Sequence, residues 1–156
     1  MTLFLVRHAN AGSRAGWEGP DGERPLSEKG RTQTEAITAH LAEVAVKRVL
    51  SSAAVRCQQT VAPIAEVRGL EVEVHPALTE GATAAQTTTL LWELAGEGAD
   101  VVLSSHGDVI PAAIEALRHD GVDVGDRHGL PKGTLYVLAV DGSGAITGAT
   151  YVDPRG

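Results

Sequence analysis

An arginine and a histidine stand side by side at the end of the first apolar run of the chain. The stretch "TLFLV" (Thr2–Val6) is typical of a short buried strand, and Arg7 and His8 follow it directly. An arginine holds phosphate oxygens through charge-assisted hydrogen bonds, and a neutral imidazole can attack phosphorus. An isolated pair of this kind is more often surface charge in water. Other parts of the chain must therefore supply the remaining groups of a site.

Each of three later strand-like segments also ends next to a chemically suitable group. These are Arg56 after "KRVLSS", Glu80 after "LEVEVH", and His106 with Gly107 after "DVVLSS". In open α/β sheets, ligands bind beyond the carboxyl ends of the strands. A parallel sheet would bring these groups together along one edge, although they are far apart in sequence.

Four of these residues have the chemistry of a phosphate site. Arg7 and Arg56 can clamp phosphate oxygens, often with two parallel hydrogen bonds each. His106 supplies a further donor, and the backbone amide of Gly107 at a helix start adds to the anion site. The sequence therefore predicts one phosphoryl group bound at this edge of the sheet.

The other two predicted catalytic residues, His8 and Glu80, would carry the reaction. We expect the flanking arginines to lower the pKa of His8, because they disfavour a second cation nearby. The neutral imidazole is then able to form a covalent phosphohistidine. Glu80 would protonate the leaving oxygen and later activate water.

The elements that must position these residues alternate along the chain between strand-like and helix-like stretches. Ser27 is predicted to cap the helix after the first strand, and Ser52 the helix after the second. "DGSG" (Asp141–Gly144) lies between two strand-like segments and predicts a hairpin. We expect a three-layer α/β/α sandwich whose central sheet is mostly parallel, with an antiparallel C-terminal edge, in one domain over residues 1–156.

Composition limits the function classes. The chain is 43% hydrophobic and 21% charged, with a formal net charge of −7, which argues against a general nucleic-acid binder. The single cysteine, Cys57, is expected to be a buried core thiol and cannot form an internal disulfide. No segment is typical of a signal peptide or membrane span, so we expect a cytoplasmic protein without a membrane partner.

The motifs "LVRHANA", "PLSEKGRTQ", "SSAAVRCQQT", "ALTEG" and "VVLSSHGDVI" resemble, in this order, those of the histidine phosphatase (phosphoglycerate mutase-like) superfamily. The resemblance covers nearly the whole chain. It implies the fold of that superfamily, His8 as nucleophile, and phosphate binding by Arg7, Arg56 and His106. It also implies Glu80 as the proton donor and a reaction that needs neither a metal nor another cofactor.

Two positions depart from the pattern of the superfamily. Ala9 stands where many members have glycine, and Asn10 replaces the charged residue common at its position, so we expect altered contacts beside the nucleophile but the same mechanism. Asn10, Arg14 and Lys132 are further candidates for substrate contacts. The segment Ala9–Leu26 is longer than most connections, which indicates either a mobile flap or a substrate loop.

The near-minimal length favours hydrolysis over mutase chemistry, because mutases of this superfamily usually carry extra segments that enclose the site. Two kinds of substrate remain open. Compact SixA-type relatives remove phosphate from protein histidines. Other motifs, "HANAGSR" and "PKGTLYVL" among them, resemble the phosphatase half of proteins fused to a Nudix hydrolase, which act on nucleotides. We expect a phosphorylated small molecule or nucleotide, with a phosphohistidine protein as the alternative and a catalytically silent phosphate-binding module as a third reading.

Overall fold

The computed structural model describes residues 1–156 and contains one six-stranded sheet of mixed direction. Its strands run in the spatial order β3-β2-β4-β1-β5-β6. Their bounds are β1 Thr2–Arg7, β2 Val46–Ser51, β3 Val72–Val74, β4 Asp100–Ser105, β5 Leu135–Val140 and β6 Ile146–Val152. The strands β1 to β4 are mutually parallel, whereas β5 pairs antiparallel with β1 and with β6. The predicted mostly parallel sheet with an antiparallel C-terminal edge is confirmed.

Four α-helices cover the two faces of the sheet. Their bounds are α1 Glu28–His40, α2 Val55–Glu66, α3 Ala84–Glu97 and α4 Val109–His119. Two single-turn 3₁₀ helices occupy Asp21–Glu23 and Pro76–Leu78. The helices α1 and α2 pack together, as do α3 and α4. None of the helices is both long and apolar enough to cross a membrane.

Alternation along the central strands divides the core into two clusters. Leu3 and Leu5 of β1 belong to the cluster that includes residues of α3 and α4. Phe4 and Val6 point the other way, into the cluster that includes residues of α1 and α2. Successive strand residues face opposite sides of a sheet, so an unbroken apolar strand is what a sheet covered on both faces requires. The predicted three-layer arrangement is confirmed.

The two serines predicted to cap helices, Ser27 and Ser52, differ in what they do in the structure. The Ser27 hydroxyl accepts a hydrogen bond from the Gly30 backbone N–H at 3.1 Å, so Ser27 is the predicted cap of α1. The prediction for Ser52 is wrong, because Ala54 is the N-cap residue of α2 and no side chain caps that position. The Ser52 hydroxyl lies 2.8 Å from His106 Nε2, and the only backbone N–H from which it accepts is that of Ala54, at 3.3 Å, which precedes the first residue of the helix.

The order of the strands brings the residues of the predicted site close together. From β1 the chain crosses over β4 to form β2, then continues outward to β3 before it returns to β4. Strand β1 therefore lies at a reversal of strand order, where α/β sheets open a crevice at their carboxyl edge. Arg7, the last residue of β1, lies opposite Ser105, the last residue of β4. The segments that follow these two strands must consequently begin side by side.

Candidate active site

The His8 side chain is buried directly after β1, with 6% of the residue exposed. Its Nδ1 lies 2.8 Å from the Ala9 carbonyl oxygen. A carbonyl only accepts, so Nδ1 carries the hydrogen and the neutral ring keeps its lone pair on Nε2. Burial, followed by the charges of Arg56, His106 and Arg7, lowers the pKa of His8 to about 3, against the opposing effect of the Ala9 carbonyl. The neutral form was expected, but burial rather than the arginines is its first cause.

The Arg7 guanidinium packs against Gly107, which follows β4. Its NH1 donates to the Leu130 carbonyl at 2.8 Å, and its Nε is buried without a hydrogen-bond partner. A Cβ atom at Gly107 would lie 2.6 Å from Arg7 Cζ. Only glycine leaves room for the guanidinium at this position, so Gly107 shapes the site through its missing side chain.

Arg56, at the second position of α2, is 1% exposed and contacts two carboxylates. Its NH2 lies 3.1 Å from Asp21 Oδ2 and 3.4 Å from Glu80 Oε2, and its NH1 donates to the Asp21 carbonyl at 2.9 Å. Its Nε is buried and has no partner. The Arg56 guanidinium thus pairs with carboxylates through NH2, whereas its buried Nε–H donates to no acceptor.

His106 follows β4, and its ring centroid lies 5.5 Å from that of His8. Its Nε2 lies 2.8 Å from the Ser52 hydroxyl oxygen and 3.5 Å from Cys57 Sγ. Burial and then the charge of Arg56 lower the pKa of His106. Cys57 is fully buried as predicted, and burial raises the pKa of its thiol to about 12. Cys57 therefore supports the imidazole as a neutral thiol.

Glu80 and Arg14 meet where the site opens to solvent. Arg14 NH2 lies 3.0 Å from Glu80 Oε1, and Arg14 Nε lies 3.1 Å from Asp21 Oδ1. The side chains of Arg14 and Glu80 are 63% and 46% exposed. Both residues are on loops, so their relative position depends on these ion pairs.

All five residues predicted to be catalytic line one polar pocket of about 300 Å³. The lining has no hydrophobic residue and consists of Arg7, His8, Gly12, Arg14, Arg24, Arg56, Glu80, His106, Gly107 and Asp108, together with Lys132. We call Arg7, His8, His106 and Gly107 the floor, and Arg14, Asp21 and Glu80 the rim. A larger groove of about 820 Å³ between α1 and α2 contains none of these residues. No three His, Cys, Asp or Glu side chains are grouped as metal ligands would be.

The other candidate contact residues, Asn10 and Lys132, differ in their placement. Asn10 does not line the pocket; its Oδ1 accepts from the Ser27 hydroxyl at 2.6 Å and from the Gly12 backbone N–H at 3.0 Å. A Cβ at Gly30 would lie 1.9 Å from the Asn10 carbonyl oxygen, so α1 passes directly against this loop. Lys132 does line the pocket, and burial together with nearby arginine charges lowers its pKa.

Sequence reasoning missed Asp21 and Arg24 of the long loop. Arg24 is buried, donates to the Ala11 carbonyl at 2.7 Å, and pairs with Asp21 Oδ1 at 3.1 Å. The only signal was two opposite charges three residues apart, just before "PLSEKG". The segment Ala9–Leu26 consequently forms one wall of the pocket.

Comparison with known proteins identifies the family. A model of the histidine phosphatase superfamily (branch 1) matches residues 3–93, which include the segments of His8, Arg56 and Glu80. The chain belongs to this superfamily.

The relatives and solved structures that resemble the chain differ in what they act on. An 8-oxo-(d)GTP phosphatase from Mycolicibacterium smegmatis is 35% identical over 98% of this chain and 48% of its own length. A structure from Agrobacterium tumefaciens described as a phosphohistidine phosphatase SixA is 26% identical, with a TM-score of 0.71 over 97% of this chain and 96% of that one. A mycobacterial glucosyl-3-phosphoglycerate phosphatase shares the fold, with a TM-score of 0.73, 20% identity and 96% of each chain covered.

The chain spans about half the length of the curated relatives that it matches. The substrates of those longer proteins are therefore candidates for this chain and no more than that.

Proposed function

We propose that residues 1–156 act as a single histidine phosphatase domain, which hydrolyses a phosphorylated small molecule or nucleotide without a metal ion. The reaction would pass through a covalent phosphohistidine on His8. Arg7, Arg56 and His106, with the Gly107 amide, would hold the phosphoryl oxygens. This proposal combines the family of the chain with the residues that converge in the pocket.

In the first step, His8 Nε2 attacks phosphorus and the bond from phosphorus to the leaving oxygen breaks. The electron pair stays on that oxygen, and Glu80, in its neutral carboxyl form and released from Arg14 and Arg56, gives it a proton. Arg7 and Arg56 stabilise the charge on the phosphoryl oxygens because their buried donors are already oriented. The products of this step are phosphorylated His8 and the free leaving group.

In the second step, water attacks the phosphorus of phosphohistidine. Glu80, now a carboxylate, takes one proton from that water, and the bond between phosphorus and Nε2 breaks with its electron pair returned to His8. Inorganic phosphate leaves, and both residues regain their starting states. The same carboxyl group serves as acid and then as base.

The observation that carries the proposal is the 2.8 Å contact of His8 Nδ1 with the Ala9 carbonyl oxygen. The Ala9 carbonyl keeps the hydrogen on Nδ1, and the lowered pKa of about 3 keeps the ring neutral at physiological pH. Nε2 is consequently a nucleophile in a pocket lined by four arginines and a lysine as well as by the carboxylates of Glu80 and Asp108.

A nucleotide is the favoured substrate because the name of the 35% identical relative, 8-oxo-(d)GTP phosphatase, states a nucleotide substrate. The pocket also contains Arg14 and Lys132, which are candidates to contact a second phosphate. The second candidate is a phosphohistidine protein, which the similarity to the SixA structure supports. A panel of nucleotides, sugar phosphates and a phosphohistidine protein, compared by kcat/KM, separates these substrates.

The test of the mechanism compares wild type with His8→Ala on p-nitrophenyl phosphate in the presence of a chelator. We expect turnover by the wild type and none by the variant, because the variant lacks the attacking nitrogen. His40→Ala is the matched control, since His40 is exposed at the end of α1 and lies outside the pocket. Equal rates in wild type and His8→Ala would remove His8 from the mechanism. A wild type that turns over no phosphorylated compound would favour the silent binding module.

A further inference from the structure

Asp21 is the residue of this site whose arrangement the proposed reaction does not explain. Its carboxylate and its carbonyl together contact three arginines, of which Arg14 and Arg24 belong to the same loop and Arg56 to α2. Oδ1 lies 3.1 Å from both Arg14 Nε and Arg24 Nε, and Oδ2 lies 3.1 Å from Arg56 NH2. Burial alone would raise the pKa of Asp21, but the hydrogen bond from Arg24 and the charges of Arg56 and Arg14 together lower it. The group is therefore a fixed negative charge beside a phosphate site.

The donors of Arg56 show what this negative charge does. NH1 is bound to the Asp21 carbonyl, and NH2 is shared between Asp21 and Glu80. A two-point contact with phosphate needs two adjacent donors of one guanidinium. Nε is free, but NH2 becomes available only when one carboxylate withdraws. The Glu80 contact is the longer, at 3.4 Å against 3.1 Å for Asp21.

We propose that Asp21 is a positioning residue that holds Arg56 in place and partly neutralises it, so that phosphate enters by displacing Glu80 from Arg56 while Asp21 remains. The inference rests on the proposed function. Displacement frees Glu80 at the step where it is needed beside the leaving oxygen. The retained negative charge of Asp21 also weakens the hold on inorganic phosphate and so favours its release.

Removal of this charge therefore has opposite effects on affinity and on rate. Asp21→Asn keeps the size of the side chain and the backbone carbonyl, but an amide cannot accept hydrogen bonds at both ends. We expect phosphate to bind about tenfold more tightly, because a negative charge close to the anion is gone. We expect kcat to fall about tenfold, because Arg56 is less well oriented and product leaves more slowly.

The experiment measures the inhibition constant of inorganic phosphate, and kcat and KM for p-nitrophenyl phosphate, in wild type and Asp21→Asn. Glu73→Gln is the matched control, because Glu73 pairs with Arg48 at 2.7 Å on an exposed surface outside the pocket. The control is expected to leave all three constants within twofold of wild type. A purely structural role for Asp21 would weaken phosphate binding and reduce kcat together.

Tighter phosphate binding with a lower kcat supports the inference. Unchanged or weaker phosphate binding in Asp21→Asn overturns it. If that variant does not fold, Asp21→Glu provides the test, because it keeps the negative charge on a longer side chain. We expect its affinity for phosphate to stay within twofold of wild type while kcat falls. A larger change in phosphate affinity contradicts the proposed role of Asp21. A wild type that neither binds phosphate nor turns over substrate would refute the proposed function instead.

Discussion

The floor and the rim of the pocket are held in place by different kinds of contact. Floor side chains are buried or half-buried and bind uncharged partners: Arg7 and His8 donate to backbone carbonyls, and His106 pairs with the Ser52 hydroxyl. Rim side chains are held mainly by ion pairs with one another or with Arg24 and Arg56. Exposed ion pairs contribute little stability and exchange partners easily, whereas buried hydrogen bonds are costly to lose. The floor is thus built to hold one geometry, whereas the exposed pair between Arg14 and Glu80 on the rim is free to change partners when a substrate enters.

The largest expected effect belongs to the floor. We expect Arg7→Ala to lower kcat/KM about 10²–10³-fold, because it removes preoriented donors to the phosphoryl group. Gly107→Ala provides a milder form of the same change, since the new methyl group would displace the Arg7 guanidinium without removing its charge. We expect that variant to lose about tenfold in kcat/KM.

Gly129→Ala is the control for these measurements with p-nitrophenyl phosphate, because a Cβ there meets no atom within 4 Å. A loss below tenfold in Arg7→Ala would show that the arginine does not bind the reacting phosphate. The interpretation of the floor as the part of the pocket that holds the phosphoryl group in one geometry would then be wrong.

The rim is tested by the dependence of Glu80→Gln on the leaving group. We expect a loss in kcat of about 10²-fold on phenyl phosphate, whose leaving oxygen needs a proton, and less than about tenfold on p-nitrophenyl phosphate. Glu93→Gln, on α3 outside the pocket, is the control. Equal losses on the two compounds would count against Glu80 as an acid and would leave it a purely electrostatic role.

The smallest effect concerns folding stability and distinguishes the buried floor from the exposed rim. Folded His8 has a pKa of about 3, below its ordinary value of 6.5, so the unfolded chain binds a proton first as the pH falls. The lowered pKa of His8 contributes fully to the free energy of unfolding above pH 6.5. This contribution is lost as the pH falls towards 3, by at most about 1.4 kcal/mol per pH unit. We expect the free energy of unfolding of wild type, measured in urea, to fall by about 1.6 kcal/mol more than that of His8→Asn between pH 6.5 and 5. The same slope in both proteins would mean that folded His8 takes up protons as an exposed histidine does.

The sequence predicted the floor better than the rim for a physical reason. Short apolar strands such as Thr2–Arg7 and Asp100–Ser105 are determined by burial on both faces, and their ends then place Arg7, His8 and His106. The Ser27 cap was predictable because its partner is only three residues away. Local pattern was therefore sufficient wherever the strand end itself carries the functional group.

The contacts that the sequence did not predict all depend on distant partners. Ser52 was expected to cap α2, but its hydroxyl contacts an imidazole 54 residues away. Asp21 binds Arg56 across 35 residues, and the loop conformation that brings them together has no periodic signal. Burial as the first cause of the His8 pKa likewise requires the packed structure, because a sequence shows neighbouring charges but not how much solvent is excluded.

The bond between His8 Nδ1 and the Ala9 carbonyl has a consequence for how such a pocket can diversify. Its acceptor is a main-chain atom of the very next residue, so no side-chain replacement elsewhere deletes it. Replacement of side chains around the entrance therefore leaves the hydrogen-bond acceptor of His8 Nδ1 in place. Loops such as Ala9–Leu26 are free to acquire new specificities while the contact that orients the His8 ring is kept.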